Sequence, residues 1–189
     1  ENFNVVTTTF APFQTIRCCE QIKINLGYMK HKVTFVGLAS GLALGNLGFT
    51  HCCIEDIGIL RTIPNITILS PADSLETVKC LQQSLKSKGS VYIRLTGTAN
   101  NPIIYKEDYN FEIGKSIKLR DGTDITIFCT GRMVHNSLRA AEALSERKIS
   151  ARVINVHTIK PIDKEVIEKA NNTKMIFSVE EHNIIGGLG

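Results

Sequence analysis

The sequence predicts an α/β fold of two units with mainly parallel sheets, and three observations carry that prediction. Short runs of β-branched and apolar residues alternate with segments whose apolar residues recur at three- and four-residue steps. The alternation breaks over residues 96–112, where Gly97, Asn100, Asn101 and Pro102 interrupt any period, and then resumes. Asp121-Gly122, set between two strand-like runs, signals an antiparallel hairpin at the edge of the second sheet. With 189 residues, 43% hydrophobic and 21% charged, the chain is long enough to bury a core. The expected division is a first unit over 1–95, a linker over 96–112 and a second unit over 113–189.

The first unit opens on a strand over residues 4–8, rich in Val and Thr. A helix follows, with Pro12 in its first turn and an apolar stripe through Phe13, Ile16, Cys19 or Ile22, and Leu26. Residues 33–36 form a second strand. Gly37, Gly41, Gly45 and Gly48 then punctuate a stretch that needs tight turns. A short helix over 54–61 ends before Pro64, and residues 65–70 make a third strand. Ser70 with Asp73 reads as a capping box for a helix whose stripe is Leu75, Val78, Leu81 and Leu85 and whose stop is Gly89. Residues 91–95 are the fourth strand.

In the second unit, residues 115–119 and 124–129 flank the Asp-Gly turn. A helix with Val134, Leu138, Ala141 and Leu144 on one face comes next, then a strand over 152–156, a helix over 163–170 and a strand over 174–179. Parallel strands joined by helical crossovers place any active edge at the strand C-termini.

Composition narrows the function classes. The 22 Lys and Arg against 18 Asp and Glu give a formal charge of +4 without a basic block, which argues against nucleic acid and a membrane surface. An apolar run long enough to span a bilayer and a signal-peptide pattern are both missing, so a cytoplasmic protein is expected. The six cysteines show no Cys-x-x-Cys spacing and are expected as free thiols.

His51 is the first candidate for chemistry, because a glycine-spaced loop after a strand delivers its imidazole next to a helix start. A hydrogen-bonded structural histidine is the competing reading. Phe10 and Phe13, three apart after a strand, offer a face for a planar ring, with core packing as the alternative. Arg94 lies inside an apolar strand, where an unpaired guanidinium is costly, so it must reach an anion, a carbonyl or solvent. Glu180-Glu181-His182 before Gly186-Gly187 forms either a polar cluster at a strand end or a solvated loop. Glu55 and Asp56 are accounted for by the helix macrodipole.

Taken together, Thr9-Phe10-Ala11-Pro12-Phe13, Arg17 to Ile22, Gly48-Phe49-Thr50-His51 with Ile54-Glu55-Asp56-Ile57, Pro64-Asn65, Ser70-Pro71-Ala72-Asp73, and Val179-Glu180-Glu181-His182 with Gly186-Gly187-Leu188-Gly189 resemble the C-terminal half of transketolase-like thiamine diphosphate enzymes. The match spans almost the whole chain and is closest to the C-terminal section of split transketolases. Deoxyxylulose-phosphate synthase and the β subunit of 2-oxoacid dehydrogenases are more distant relatives.

The resemblance implies that 1–95 is the later part of a pyrimidine-binding domain and 113–189 a transketolase C-terminal domain, cut short at its C-terminal end. It implies a transferase of carbohydrate metabolism that moves a two-carbon ketol unit between sugar phosphates. Phe10 and Phe13 would pack against the aminopyrimidine of thiamine diphosphate, His51 would be catalytic, and Arg94 would hold a sugar phosphate. Leu47, Ala39 and Ile16 depart from residues common in the family. The family's catalytic glutamate would lie upstream of Glu1, and its Gly-Asp-Gly metal motif does not occur in this sequence. Magnesium would therefore be bound by a diphosphate-binding domain or N-terminal subunit outside this chain, within a homodimer or heterotetramer. The alternatives are a synthase-like or dehydrogenase β-like subunit and, from another class, a non-catalytic assembly subunit.

Overall fold

The computed structural model describes residues 3–97 and 100–189; residues 98 and 99 of the expected linker lie outside them. In chain order the elements are β1 (Val5–Phe10), α1 (Ala11–Gln14), α2 (Cys19–Gln21), β2 (Val33–Ser40), α3 (Asp56–Arg61), β3 (Ile66–Leu69), α4 (Ser74–Lys86), β4 (Ser90–Thr96), β5 (Ile117–Arg120), β6 (Ile125–Cys129), α5 (Met133–Glu146), β7 (Ala151–Asn155), β8 (Thr158–Lys160), α6 (Lys164–Lys169) and β9 (Met175–Val179). The strands form two sheets, ordered β1-β2-β4-β3-β8 and β5-β7-β6-β9. All pairings are parallel except β3 with β8 and β5 with β7. Among the described residues no helix is long and apolar enough to cross a membrane.

The expected hairpin does not form: β5 pairs antiparallel with β7, which separates it from β6. Gly122 shows why. A Cβ there would collide with the backbone of Ala151 and Arg152, so the Asp-Gly turn presses onto the start of β7 instead of closing a two-stranded ribbon. A second difference is β8, three residues that cross to the edge of the first sheet. One apolar cluster accordingly runs through both units, joining Ile57, Leu60, Ile68 and Tyr92 to Phe128, Ile154, Val156 and Ile159.

Two helices of the first unit, the N-terminal one and α4, differ from their apolar patterns. The first breaks at Thr15 (φ −124°, ψ −81°), passes through a 3-10 turn over Ile16–Cys18 and α2, and widens into a π-helical stretch over Ile22–Tyr28. In α4 the expected apolar stripe faces outward, with Val78 52% exposed, and the buried row is Glu76, Cys80 and Ser84. The cause is a polar junction. Glu76 accepts from Ala72 N at 2.7 Å, from Tyr109 Oη at 2.6 Å and from Asn155 Nδ2 at 3.0 Å. The cap also moves: Asp73, not Ser70, caps α4, accepting from Glu76 N at 2.9 Å. Its other oxygen takes the N–H groups of Ile104 and Tyr105, which fastens the connecting segment to α4. Burial raises the Glu76 carboxyl's pKa against the pull of these donors.

Candidate functional site

Parallel pairing of β1, β2, β4 and β3 brings their C-termini to one edge, and the candidate residues gather there. Phe10 ends β1 opposite Leu38 of β2, and Phe13 follows in α1. After β2 the chain makes a loop whose feet are joined by a two-way bridge, Gly41 N to Cys53 O at 2.8 Å and Cys53 N to Gly41 O at 3.0 Å. Gly41 has φ +74°, a conformation open to glycine, and the bridge depends on it. His51 sits just before the second foot.

The loop carries His51 to the two phenylalanines. Ring centroids of Phe13 and His51 are 5.4 Å apart, those of Phe10 and His51 6.3 Å, and those of Phe10 and Phe13 5.9 Å, all edge-to-face. Phe10 remains 39% exposed, so the corner offers an open aromatic surface. Thr50 Oγ1 lies 3.0 Å from His51 Nδ1. Among the described residues His51 Nε2 has no protein partner, which leaves it free to exchange a proton with a ligand.

One residue of this corner has no counterpart among the candidates that the sequence singles out. The guanidinium carbon of Arg17 lies 4.0 Å above the Phe13 ring, and its Nη2 donates to the Thr50 carbonyl at 3.4 Å. The signal is present in the spacing, since Arg17 follows Phe13 by one helical turn.

Arg94 requires a correction. The expectation that it holds a sugar phosphate fails on burial, because its side chain is 0% exposed and has no surface to offer a ligand. Its Nε pairs with Asp56 at 2.8 and 3.0 Å, and its Nη2 donates to Cys53 O at 3.1 Å and Glu181 O at 2.8 Å. Tyr92 Oη donates to the same Asp56 carboxylate at 2.8 Å. Asp56 is therefore the counter-ion of Arg94 as well as a first-turn acid of α3. Burial alone would lower the arginine's pKa, and the Asp56 charge more than offsets it, so the guanidinium stays charged. The Cys53 thiol, close by, is pushed up to about 12 by burial and by Asp56, which makes it inert as a nucleophile.

The strand-end cluster over 180–182 does form, in two parts. Glu180 accepts the N–H groups of Leu188 and Gly189. His182 Nε2 lies 3.3 Å from Gly58 N and 3.9 Å from Asp56 Oδ1, while Nδ1 lies 2.8 Å from the Asn183 carbonyl. Among the described residues no three His, Cys, Asp or Glu side chains converge as a metal site.

Residues 1–101 match the family model of the transketolase pyrimidine binding domain, and residues 114–189 that of the transketolase C-terminal domain. The chain is 40% identical over 181 residues to an apulose-4-phosphate transketolase subunit of Phocaeicola vulgatus, covering 95% of this chain and 58% of that protein. It is 34% identical over 186 residues to the transketolase of Mus musculus, covering 96% of this chain and 29% of the mouse protein. A solved split-gene transketolase, described as an inactive β4 tetramer, matches with a TM-score of 0.88 at 34% identity, over 97% of this chain and 59% of its own. The chain thus spans little more than half of the bacterial protein and of the solved chain, and under a third of the mouse enzyme.

Proposed function

The chain belongs to the transketolase family, and on that premise we propose that it is part of a C-terminal section that moves a two-carbon ketol unit between sugar phosphates, with thiamine diphosphate and magnesium. The observation that carries this reading is the corner at the sheet edge, where a half-buried imidazole with a free Nε2 faces two partly open phenyl rings. The cofactor, when bound, supplies the electron sink for the transferred fragment. This chain's own residues position and protonate. Phe10 and Phe13 offer the apolar aromatic surface that a flat heterocycle fits, and Arg17 stiffens Phe13 from one face.

His51 holds or moves the proton. With Nδ1 engaged by Thr50, Nε2 is the atom that hydrogen-bonds a substrate hydroxyl or carbonyl oxygen and exchanges a proton with it. The diphosphate and the magnesium ion are assigned to a partner domain, either a diphosphate-binding domain or a separate N-terminal subunit. The site then forms between subunits of a homodimer or heterotetramer. All six cysteines are free thiols, which suits the reducing cytoplasm. The phosphate of the substrate has no assigned ligand here, since Arg94 is fully buried beside Asp56.

The test is reconstitution. This chain is mixed with an N-terminal section, thiamine diphosphate and Mg²⁺, and the product of a phosphorylated ketose donor and an aldose acceptor is followed. Ketol transfer that needs both polypeptides supports the reading. Pyruvate consumption in its place moves the chain to the decarboxylating relatives, and an assembled complex that binds no cofactor makes it an assembly subunit.

A further inference from the structure

On the ketol-transfer reading just given, we propose that the second unit sets the position of His51 through a strap, residues 181–183, which ties the foot of the His51 loop to the buried Arg94–Asp56 pair. In this view Arg94, Glu181 and Asn183 are positioning residues.

Cys53 lies two residues past His51. Its carbonyl accepts from Gly41 N and also from Arg94 Nη2, and that same nitrogen donates to the carbonyl of Glu181. One nitrogen thus joins the loop foot in the first unit to the strap in the second, while Nε anchors the guanidinium on Asp56. One residue further on, Ile54 O accepts from Asn183 twice, from its backbone N at 3.0 Å and its Nδ2 at 2.7 Å. His182 then takes the N–H of Gly58 in α3. The strap therefore meets Cys53 through Arg94, Ile54 through Asn183 and Gly58 through His182.

The Glu181 side chain closes the other foot. A Cβ placed on Gly41 would lie 2.6 Å from Glu181 Oε2 and 2.7 Å from its Cβ, so the carboxyl rests directly on the turn that starts the loop. Its Oε2 is buried and has no hydrogen-bond partner among the described residues. Burial raises this carboxyl's pKa, with Arg94, Arg132 and the Leu42 backbone opposing. None of these contacts involves Phe10, Phe13 or the His51 ring. Their effect on the corner runs through the height and angle at which the loop delivers the imidazole, and a displacement of about 1 Å in a reacting group is enough to cost turnover.

The experiment compares Asn183→Ala and Glu181→Gln with the parent, in the complex with an N-terminal section for kinetics and in this chain for amide hydrogen exchange. Glu180→Gln is the control, because Glu180 holds the turn at Leu188 and Gly189 and touches neither foot. For Asn183→Ala the expected result is a kcat lower by about tenfold with the ketose KM within about twofold, since a lost hydrogen bond of ordinary strength corresponds to roughly three- to tenfold. Exchange in residues 41–55 should accelerate by a similar factor while β2 and β4 keep their protection. Glu181→Gln should change both in the same direction and by less, and the control should leave both unaltered. Parent-like kcat with parent-like loop exchange in both strap variants overturns the proposal, as does a general loss of protection. If the parent complex shows no ketol transfer, the functional reading fails by itself, and the exchange measurement still decides the strap.

Discussion

His51 and Arg94 stand at one edge of one sheet, yet their surroundings differ in almost every physical respect. Around His51 the chain presents two phenyl rings with centroids 5.4 and 6.3 Å away, a ring nitrogen without a partner among the described residues, and the open surface of Phe10. Around Arg94 it presents a sealed set of charges and carbonyls, with Asp56 and Tyr92 as buried as the arginine. A polar residue near the C-terminal edge of a parallel sheet is thus assigned by what its heavy atoms already touch. An open side chain with an unpartnered nitrogen, as at His51, is available to a ligand; a buried one that holds a counter-ion and two carbonyls, as at Arg94, ties the chain together. The two regions should respond to substitution in opposite ways.

The largest effect is expected at the sealed centre. Arg94→Leu leaves Asp56 buried without its cation, and breaking a buried pair this way costs about 3–5 kcal/mol of stability. Chemical denaturation of the chain reads it. Replacing both partners, Asp56→Leu with Arg94→Leu, should recover part of the loss. The folded fraction should keep the parent's preference between a phosphorylated ketose and its unphosphorylated analogue, and a selective loss for the phosphorylated one would return Arg94 to the substrate.

At the open corner the expectation reverses. His51→Ala should lower turnover of the reconstituted complex by about 10² to 10⁴, the range for a positioned acid or base. Stability should change by about 1 kcal/mol or less, the order of its edge contacts with Phe10 and Phe13. A folding defect with near-parent kinetics would make His51 a structural residue.

A buried histidine sharpens the contrast. His157 is buried against Phe111, with ring centroids 4.3 Å apart, and burial lowers its pKa to about 4 from 6.5, the Asp163 charge opposing only in part. The unfolded chain therefore binds a proton between those values that the folded chain refuses, so this group favours folding above pH 6.5 and the benefit disappears as pH falls towards 4. The shift corresponds to about 3 kcal/mol at most. Glu76, whose carboxyl is raised, acts in the opposite sense, its contribution present at low pH and lost as pH rises. His157→Phe should flatten the dependence between pH 4 and 6.5 whatever it does to packing, because a packing change shifts the curve without altering its slope. An unchanged slope would show that His157 titrates normally.

These contrasts also mark what the sequence disclosed. The alternation of strands and helices is set by local patterning, so β1 to β4 and β6, α5, β7 and β9 were legible within a few residues. The strand β8 was not, because three residues between His157 and Pro161 gain a strand conformation only from β3 across the molecule. The inward row of α4 was hidden for a related reason: Glu76 outcompetes Val78 for the interior because Tyr109 and Asn155, far along the chain, satisfy it. At the site, the spacing of Phe10, Phe13 and the glycine loop before His51 carried the corner. It also raised Arg94 as a residue that needed a partner, but Asp56 is 38 positions away in sequence, and pairing at that range has no local signature.

The smallest effect is expected from Phe13→Leu, and it tests whether the corner is a binding surface or a second piece of core. Leucine keeps an apolar side chain of nearly the same size, so the hydrophobic contribution at this half-buried position is largely retained. What disappears is the ring: its edge-to-face contacts with Phe10 and His51 and the stacking of Arg17 upon it. An aromatic pair is worth about 0.5–1.5 kcal/mol beyond burial, and tenfold in affinity corresponds to about 1.4 kcal/mol. If the ring meets the cofactor's pyrimidine, titration calorimetry on the reconstituted complex should show thiamine diphosphate binding weakened by about three- to tenfold, with kcat at saturating cofactor within about threefold of the parent and a stability loss of no more than about 1.5 kcal/mol. If the ring serves the core, the midpoint falls and the affinity holds. The cofactor affinity separates the two outcomes, because the contacts with Phe10, His51 and Arg17 are lost in either case.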